Sequence, residues 1–569
     1  MQGRKRQIPV ARILWFSALL LSLAGFLLSG RPAAGACDAA EGVISLAQLA
    51  GHRGDAPSIG TPVTAMGTVT GVFPGRQGLN GFFMQQRDGE RPAGLFVYAP
   101  AFTPSDWARI SPGARIRIDA RSGEFKGRRQ LHRVASVQLC EQGELPAPMP
   151  LRLPADREAL NGLHGVLVEF PQTLTVTGNY TLGRFGALKL SAGGRLFRHR
   201  VPATGQHRII LDDGRYQSDP QPVPYLDEQG TRRAGDRVEA LTGILVHAFD
   251  DWRVHPLAEP RFEAGNSRRP APDLPAGLLV ATFNLENYFV SLGERGARDA
   301  AALERQRSRL LAALEAKNAD LLALMEIENR RDVLADLVER LNDRLPEADH
   351  YRLLDGPADT GRDAIKSALI YRPRTLEPLG AAQTDIRDVH DRPPVLAAFR
   401  NRTSGKRLLA AVVHFKAKSG CPAAGDIDRG QGCWNLRRTR QAQALMDFVR
   451  RAADRHGITR MLLAGDFNSY AAEDPIQALE QAGYRNLAAE HLPPERHYTY
   501  VFQGEAGMLD YIFASPDLAG DVSGATIWHI NADEPSFLSY DGRGGRSAAG
   551  ANAPWRSSDH DPVIIGLTE

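Results

Sequence analysis

The first part of the chain alternates apolar residues with polar or small ones. Residues 113–120 read Gly-Ala-Arg-Ile-Arg-Ile-Asp-Ala, and similar short runs occur at 63–73, 81–85 and 94–98. A period of two is typical of β-strands that have one buried face. We therefore expect residues 37–145 to form a small β-barrel of about five strands.

A second β-rich region is predicted over residues 146–264, with its strongest strand patterns at 165–170 and 237–246. A proline-containing linker at 265–277 separates it from the rest of the chain. Beyond the linker, over 278–569, apolar strands alternate with amphipathic helices. This change of pattern predicts an α/β domain built in layers.

The N-terminus has the features of an export signal. A basic segment at 4–12 precedes an apolar run at 13–28 and the small residues at 33–36. This order predicts a signal peptide over 1–36 that is cleaved before Cys37. We expect a secreted, periplasmic or cell-surface protein with no stable membrane partner after cleavage. An uncleaved membrane anchor and a lipid anchor on Cys37 are the alternatives.

Charge and cysteine content narrow the possible partners. The net charge of +3 and the pI near 8.6 fit a polyanionic partner without requiring one. Four cysteines in an exported chain predict two disulfides. Proximity along the sequence favours Cys421–Cys433 and Cys37–Cys140, and free buried thiols are the alternative. No pair has the Cys-x-x-Cys spacing of a zinc cluster.

Polar residues that can bind metal or transfer protons end six apolar strands of the C-terminal region. They are Asn284, Glu326, His414, Asp466 with Asn468, Asp510, and Asp559 with His560. Carboxylates and amides are hard oxygen donors that suit Mg²⁺, Mn²⁺ or Ca²⁺, and histidine moves protons near neutral pH. Each residue alone has an ordinary structural explanation, such as a turn cap or a core histidine. Six such strand ends in one domain favour a hydrolytic site.

These residues, in this order, resemble the endonuclease/exonuclease/phosphatase superfamily of DNase I-like proteins. The most specific motifs are Gly-Asp466-Phe-Asn468 and Ser-Asp559-His560-Asp-Pro, and the match runs across 276–569. The resemblance implies an α/β four-layer sandwich, in which two β-sheets pack between helices, as the catalytic domain. The barrel ahead of it resembles an OB-fold, as in bacterial extracellular nucleases of this superfamily. The second β-rich region is interpreted as a further OB-like module.

The resemblance also implies which residues hold metal and water. Glu326 would be the principal metal ligand, assisted by Asn284 and Asp559. Mg²⁺ is the expected cofactor, with Mn²⁺ or Ca²⁺ as alternatives. Asp466 and Asn468 would position or activate the attacking water and contact the phosphate.

The two histidines have implied roles in proton transfer or charge stabilisation. His560, held by Asp510, would act as the base or as a clamp on the transition state. His414 would protonate or stabilise the leaving group. Whether Asp466 or His560 is the base stays open, as does the number of metal ions.

One departure from the family pattern concerns the residue that would orient His414. DNase I has a glutamate shortly before a strand that ends in Tyr/Phe-Arg-Pro, whereas this chain has Lys366 before Tyr-Arg-Pro at 371–373. Lys366 is interpreted as a phosphate contact, with a solvated strand-edge lysine as the alternative. Arg440 and Arg556 are further predicted substrate contacts, because cations commonly bind phosphate.

The resemblance implies a secreted, divalent-metal-dependent nuclease that hydrolyses phosphodiester bonds of extracellular DNA, with RNA as a further substrate. We expect a monomer with DNA as its partner. A lipid phosphoesterase of the same fold, such as a sphingomyelinase, is the first alternative. A non-catalytic nucleic-acid-binding surface protein is the second, and the intact set of site residues argues against it.

Overall fold

The computed structural model describes residue 37 and residues 42–88, 91–198, 205–275, 277–357, 359–542 and 552–568. The predicted signal peptide, 1–36, lies outside these residues. From residue 43 onward the chain is one compact unit, in which three sheet-rich regions follow one another. Within the described residues, no helix combines the length and the apolar character that crossing a membrane requires.

The first region is a closed five-stranded β-barrel. Its elements are α1 (Leu46–Leu49), β1 (Pro62–Phe73), β2 (Gly81–Asp88), β3 (Arg91–Tyr98), α2 (Pro104–Trp107), β4 (Ala114–Phe125) and β5 (Arg128–Gln142). The strands follow one another around the barrel in the order β1-β2-β3-β5-β4. Alternation along β4 buries Ala114, Ile116 and Ile118 in the barrel core, as expected for a period of two.

The second region is an open nine-stranded sheet with the order β15-β12-β8-β9-β11-β14-β13-β7-β6. Its elements are β6 (Met149–Pro150), α3 (Arg157–Gly162), β7 (Leu167–Phe170), β8 (Leu174–Gly178), α4 (Leu182–Phe185), β9 (Ala187–Ala192), β10 (Leu196–Phe197), β11 (Arg208–Asp212), β12 (Arg237–Val238), β13 (Leu241–Ala248), β14 (Asp251–Pro256) and β15 (Phe262–Glu263). The edge strands β15 and β6 do not pair with each other. In the part of the chain that the structure describes, this sheet is therefore open, unlike the closed barrel of the first region.

The third region contains two large sheets, most of the helices, and a hairpin of β26 and β27 that pairs with β10 of the second region. Its helices are α5 (Ala300–Lys317), α6 (Arg331–Asn342), α7 (Asn435–His456), α8 (Asp474–Gln481), α9 (Leu487–His491) and α10 (Pro516–Ala519), with 3-10 turns at Glu347–Asp349, Pro494–Arg496 and Ser536–Leu538. Its strands are β16 (Leu278–Tyr288), β17 (Leu321–Glu328), β18 (Arg352–Leu353), β19 (Ile365–Tyr371), β20 (Leu376–Pro378), β21 (Gln383–Thr384), β22 (Val395–Asn401), β23 (Arg407–His414), β24 (Met461–Asp466), β25 (Arg485–Asn486), β26 (Tyr500–Phe502), β27 (Glu505–Gly507), β28 (Asp510–Ala514), β29 (Val522–Ile527) and β30 (Val563–Leu567). One sheet has the order β18-β19-β17-β16-β30-β29 and the other β20-β22-β23-β24-β28-β25, with β21 paired to β22.

Successive residues of the central strands enter different apolar cores. Val280 of β16 shares a core with Val412 of β23 and Leu463 of β24, so the two sheets pack against each other. The next residue, Ala281, instead joins a core with Leu310 of α5. Helix α7 adds apolar residues to the core of the second sheet. This α/β layering agrees with the predicted fold class of the third region.

Two disulfides are present, as predicted. Cys421 and Cys433 are bonded in the loop before α7, with their Cα atoms 5.3 Å apart. Cys37 and Cys140 are also in the disulfide-bonded state. No cysteine among the described residues is free.

Candidate active site

Strand pairing brings the site residues together at one rim of the third region. In one sheet, His414 of β23 pairs with Asp466 of β24, which in turn pairs with Asp510 of β28. In the other sheet, Asn284 of β16 lies beside the end of β17, where Glu326 stands. These residues are far apart in sequence, so their proximity depends on the register of the two sheets.

A first cluster joins the two sheets. The Nε2 atom of His414 lies 3.5 Å from Oδ2 of Asp466 and 3.9 Å from Oε1 of Glu326. The Asn284 amide nitrogen donates to the same two oxygens, at 3.3 and 3.1 Å. The Asn284 oxygen accepts from the Glu286 backbone N–H. Asn284 therefore aligns the two carboxylates through its amide nitrogen. The predicted role of metal ligand would require its oxygen to face them, but that oxygen is hydrogen-bonded to Glu286 instead.

Glu326 has a strained backbone that fixes the direction of its carboxylate. Its φ is 61°, in the left-handed region that non-glycine residues rarely adopt. The backbone N–H of Asn287 donates to Glu326 Oε2 at 2.9 Å. Such strain persists only where the surrounding structure enforces it, and it is concentrated at functional sites.

A second cluster contains Asp466, Asp510 and His560. The Nδ1 atom of His560 lies 2.7 Å from Oδ2 of Asp510, which also accepts from the Thr499 hydroxyl at 2.7 Å. The Tyr500 ring packs on the imidazole with centroids 4.7 Å apart. Burial alone would lower the pKa of His560, but the neighbouring carboxylates, Asp510 foremost, raise this pKa well above its ordinary value. His560 is therefore suited to carry a positive charge and to donate to an anion.

Glu286 is a site residue that the sequence analysis missed. Its Oε1 lies 3.8 Å from the Arg556 guanidinium, and its buried Oε2 makes no hydrogen bond with any residue that the structure describes. Glu286 lines one cavity with Arg556 and Asp559. Burial, together with the charge of Asp559, raises the pKa of Glu286. Glu286 lies two residues after Asn284, but its left-handed φ of 51° and the register shift in β16 interrupt the strand alternation there, so no periodic signal marked it.

The crowded carboxylates fit a hard divalent cation. Burial is the largest cause that raises the pKa values of Glu286, Glu326 and Asp466, and a neighbouring aspartate raises each of them further. One ligand atom each from Glu326, His414 and Asp466 lies within 4.8 Å of the others. A cation here would neutralise charges that the protein holds close together.

His414 has no carboxylate to orient its outer nitrogen. Its Nδ1 atom is buried and makes no hydrogen bond with the described residues. Burial, and then the charge of Arg392, lowers the pKa of His414 well below its ordinary value. This geometry agrees with the absence of the glutamate found in DNase I. A neutral His414 can stabilise a leaving group by a hydrogen bond, but it is poorly suited to protonate one near neutral pH.

Asn468 and Asp559 complete the predicted set. The Asn468 backbone N–H donates to Oδ1 of Asp466 at 2.8 Å, and its side-chain amide donates to the Phe415 carbonyl at 3.1 Å. Asn468 thus braces Asp466. Asp559 is half-buried and lines the cavity with Tyr500.

Two of the three predicted phosphate contacts lie elsewhere. The Lys366 ammonium donates to the Arg330 carbonyl at 2.5 Å and is neither solvated nor among the site residues. Arg440 is exposed on α7, whereas the buried cation of that helix is Arg438, which donates to the Ser469 hydroxyl at 3.1 Å. Residues two apart on a helix point in nearly opposite directions, so only one of them faces inward.

A buried carboxylate cluster beside an aspartate–histidine pair is the arrangement of a metal-assisted hydrolase. Comparison with known proteins identifies the family. Residues 281–560 match the model of the Endonuclease/Exonuclease/phosphatase family, and this part of the chain is a domain of that family.

Solved structures similar to the chain come from several organisms. The human nocturnin catalytic domain with bound sulfate is 15% identical, with a TM-score of 0.35, over 52% of this chain and 96% of that one. A mannosyl-6-phosphatase of Bacteroides thetaiotaomicron is 17% identical, with a TM-score of 0.36, over 51% and 99%. Humanized D. rerio TDP2 is 15% identical, with a TM-score of 0.34, over 51% and 97%. No curated protein matched the chain.

Proposed function

We propose that the protein is an exported, divalent-metal-dependent nuclease that hydrolyses phosphodiester bonds of extracellular DNA, with RNA as a further substrate. One observation carries this proposal. Asp466 stands between the Glu326–His414 pair and the Asp510–His560 pair, within 4.8 Å of ligand atoms in both. A single buried carboxylate thus links a cation site to a charged imidazole.

This arrangement divides the hydrolysis among the side chains. Glu326 and Asp466 would hold the cation, with Glu286 and Asp559 beside them. A bound Mg²⁺, Mn²⁺ or Ca²⁺ ion would neutralise phosphate charge and favour ionisation of the attacking water. Asp466, braced by Asn468, is also the carboxylate placed to take the water proton.

The remaining groups stabilise the phosphate as negative charge accumulates on it. His560, charged through its pair with Asp510, would donate to a phosphate oxygen, and His414 would donate to the leaving oxygen. The raised pKa of His560 makes this residue a better hydrogen-bond donor than base. This favours Asp466 as the base. Arg556, which lines the cavity with Asp559, is the predicted substrate contact that lies beside the site.

Features outside the site support a polynucleotide substrate. The N-terminal residues have the pattern of an export signal, and the net charge is positive. The closed five-stranded barrel has the size and form that we expect of an OB-fold, a module that binds oligonucleotides. We therefore assign the barrel to substrate binding and the third region, a four-layer sandwich, to catalysis.

Purified protein incubated with supercoiled plasmid, linear DNA or RNA would test the proposal. With Mg²⁺ we expect nicking of closed circles, and with chelator no cleavage. Asp466→Asn should lower the rate by about 10²–10⁴-fold, because it removes the proposed base and a cation ligand. Asp447→Asn, on an exposed part of α7, is the matched control and should cleave normally.

Two outcomes would overturn the assignment. Hydrolysis of sphingomyelin without cleavage of any nucleic acid would make the protein a lipid phosphoesterase. Binding of DNA that stays intact with every divalent metal tested would make it a non-catalytic binding protein.

A further inference from the structure

A cavity of about 550 Å³ extends the active site toward the second region. It is lined by Glu286, Arg556 and Asp559 of the third region and by the segment 178–181 of the second region. The family match begins only at residue 281. Part of the wall beside the reactive groups therefore comes from a region that the family match does not include.

The segment at 178–181 is firmly attached to the third region. The Asn179 amide donates to the carbonyls of Asp533 and Arg232, at 2.8 and 2.9 Å. The Tyr180 carbonyl accepts from the Ser536 hydroxyl at 2.7 Å. In spite of these anchors the Tyr180 side chain is 79% exposed. The main chain is fixed, and the aromatic ring is left uncovered at the cavity.

A second exposed aromatic residue lines the same cavity. Phe502 is 50% exposed and ends β26, the strand that begins with Tyr500, whose ring packs on His560. The second region also fits closely against this hairpin, because a Cβ atom on Gly178 would lie only 2.9 Å from the Cα of Gly504. The hairpin that carries Phe502 thus contacts His560 of the third region through Tyr500 and Gly178 of the second region through Gly504.

Exposed aromatic rings on a fixed backbone are stacking platforms for nucleobases, since each base has a π-face. Paired bases inside a duplex are already stacked and cannot reach such rings, whereas bases of a single strand can. We propose that Tyr180 and Phe502 form a base-binding subsite next to the scissile phosphate and that single-stranded nucleic acid is the preferred substrate. This inference rests on the proposed nuclease function.

An oligonucleotide with one cleavable phosphodiester, and phosphorothioates at its other linkages, would test the subsite. The measurement is kcat/KM for the intact single strand divided by kcat/KM for the same strand with an abasic site beside the cleavable bond. The wild-type ratio should be about tenfold or more, and Tyr180→Ala or Phe502→Ala should bring the ratio close to one. Tyr180→Phe keeps the aromatic face and should restore the ratio.

Tyr216→Ala is the matched control, because Tyr216 is 54% exposed in the second region but does not line this cavity. Its ratio should equal that of the wild type, and thermal unfolding should show that all variants are folded. A Tyr180→Ala ratio equal to the wild-type ratio would overturn the subsite. Equal cleavage of duplex and single strand by the wild type would overturn the proposed preference. Failure of the wild type to cleave any nucleic acid would instead refute the nuclease function.

Discussion

Replacing Asp510 by asparagine removes one charge from the site with almost no change in shape. Asp510 is 1% exposed, and its Oδ2 lies 2.7 Å from His560 Nδ1. A hydrogen bond to a charged group contributes about 1.5–3 kcal/mol, which corresponds to about 10–150-fold in rate if it is lost in the transition state. The substitution also removes the foremost charge that raises the pKa of His560. We expect kcat to fall by about 10²-fold, within the range of a lost hydrogen bond to a charged group.

The assay is the initial rate of plasmid nicking at saturating DNA and fixed Mg²⁺, with thermal unfolding as the check on folding. Thr499→Val serves as a graded control, because it keeps the charge of Asp510 but removes the hydroxyl that donates to Asp510 at 2.7 Å and accepts from the backbone N–H groups of Leu509 and Asp510. Its loss should be about tenfold, which corresponds to the lower end of the 1.5–3 kcal/mol range, about 1.5 kcal/mol, because the charge that faces His560 remains. If Asp510→Asn retained more than a third of the wild-type kcat, the role assigned to the Asp510–His560 pair would be refuted.

Three further predictions concern stability. Burial would raise the pKa of Asp212, but the neighbouring His255 and Arg253 outweigh burial and help lower this pKa from 3.8 to about 2. A lowered carboxyl pKa stabilises the fold above pH 3.8, and this stabilisation disappears as the pH falls through 2. Asp212→Asn should therefore cost about 2 kcal/mol at pH 7 and almost nothing near pH 2, measured by urea unfolding at each pH. Burial lowers the pKa of Lys317 well below its ordinary value, because a buried ammonium charge is unfavourable. Lys317→Met removes this charge and should raise the free energy of unfolding by about 1 kcal/mol. A lower Tm of this variant would contradict the prediction. Cys421 and Cys433 are joined by a disulfide across a separation of 12 residues. Replacing both by serine should lower the free energy of unfolding by about 3 kcal/mol. An unchanged unfolding transition would contradict this prediction.

The strand pattern could be predicted to different degrees in the three regions. In the barrel, the alternation at 113–120 became β4, because one face of that strand is buried. In the second region, strong runs became β7 and β13, but several partners are strands of only two residues, such as β12 and β15. Such short strands have no detectable period. The nine-stranded order was therefore not predictable from local pattern.

The predicted site shows a similar division. Asp466, Asp510 and His560 end or follow apolar strands, and their chemistry is visible in the sequence as carboxylates and an imidazole. Glu286 has the same chemistry, but it lies past the expected strand end, in a left-handed conformation with a φ of 51° that no local pattern indicates. Lys366 stands where the DNase I pattern has a glutamate, and only the structure shows that its ammonium donates to the Arg330 carbonyl.

The sequence by itself determined where the longer strands lie, which polar residues end them and which family the third region resembles, because periodicity and residue chemistry are local properties. The tertiary structure alone decided which strand ends meet, which cations turn inward and which aromatic rings stay exposed. It also decided that the second region would place Tyr180 in one cavity with Glu286, Arg556 and Asp559. These features depend on sheet register and on packing between residues hundreds of positions apart. Such contacts, as between Asn179 and Asp533, leave no periodic trace in either segment.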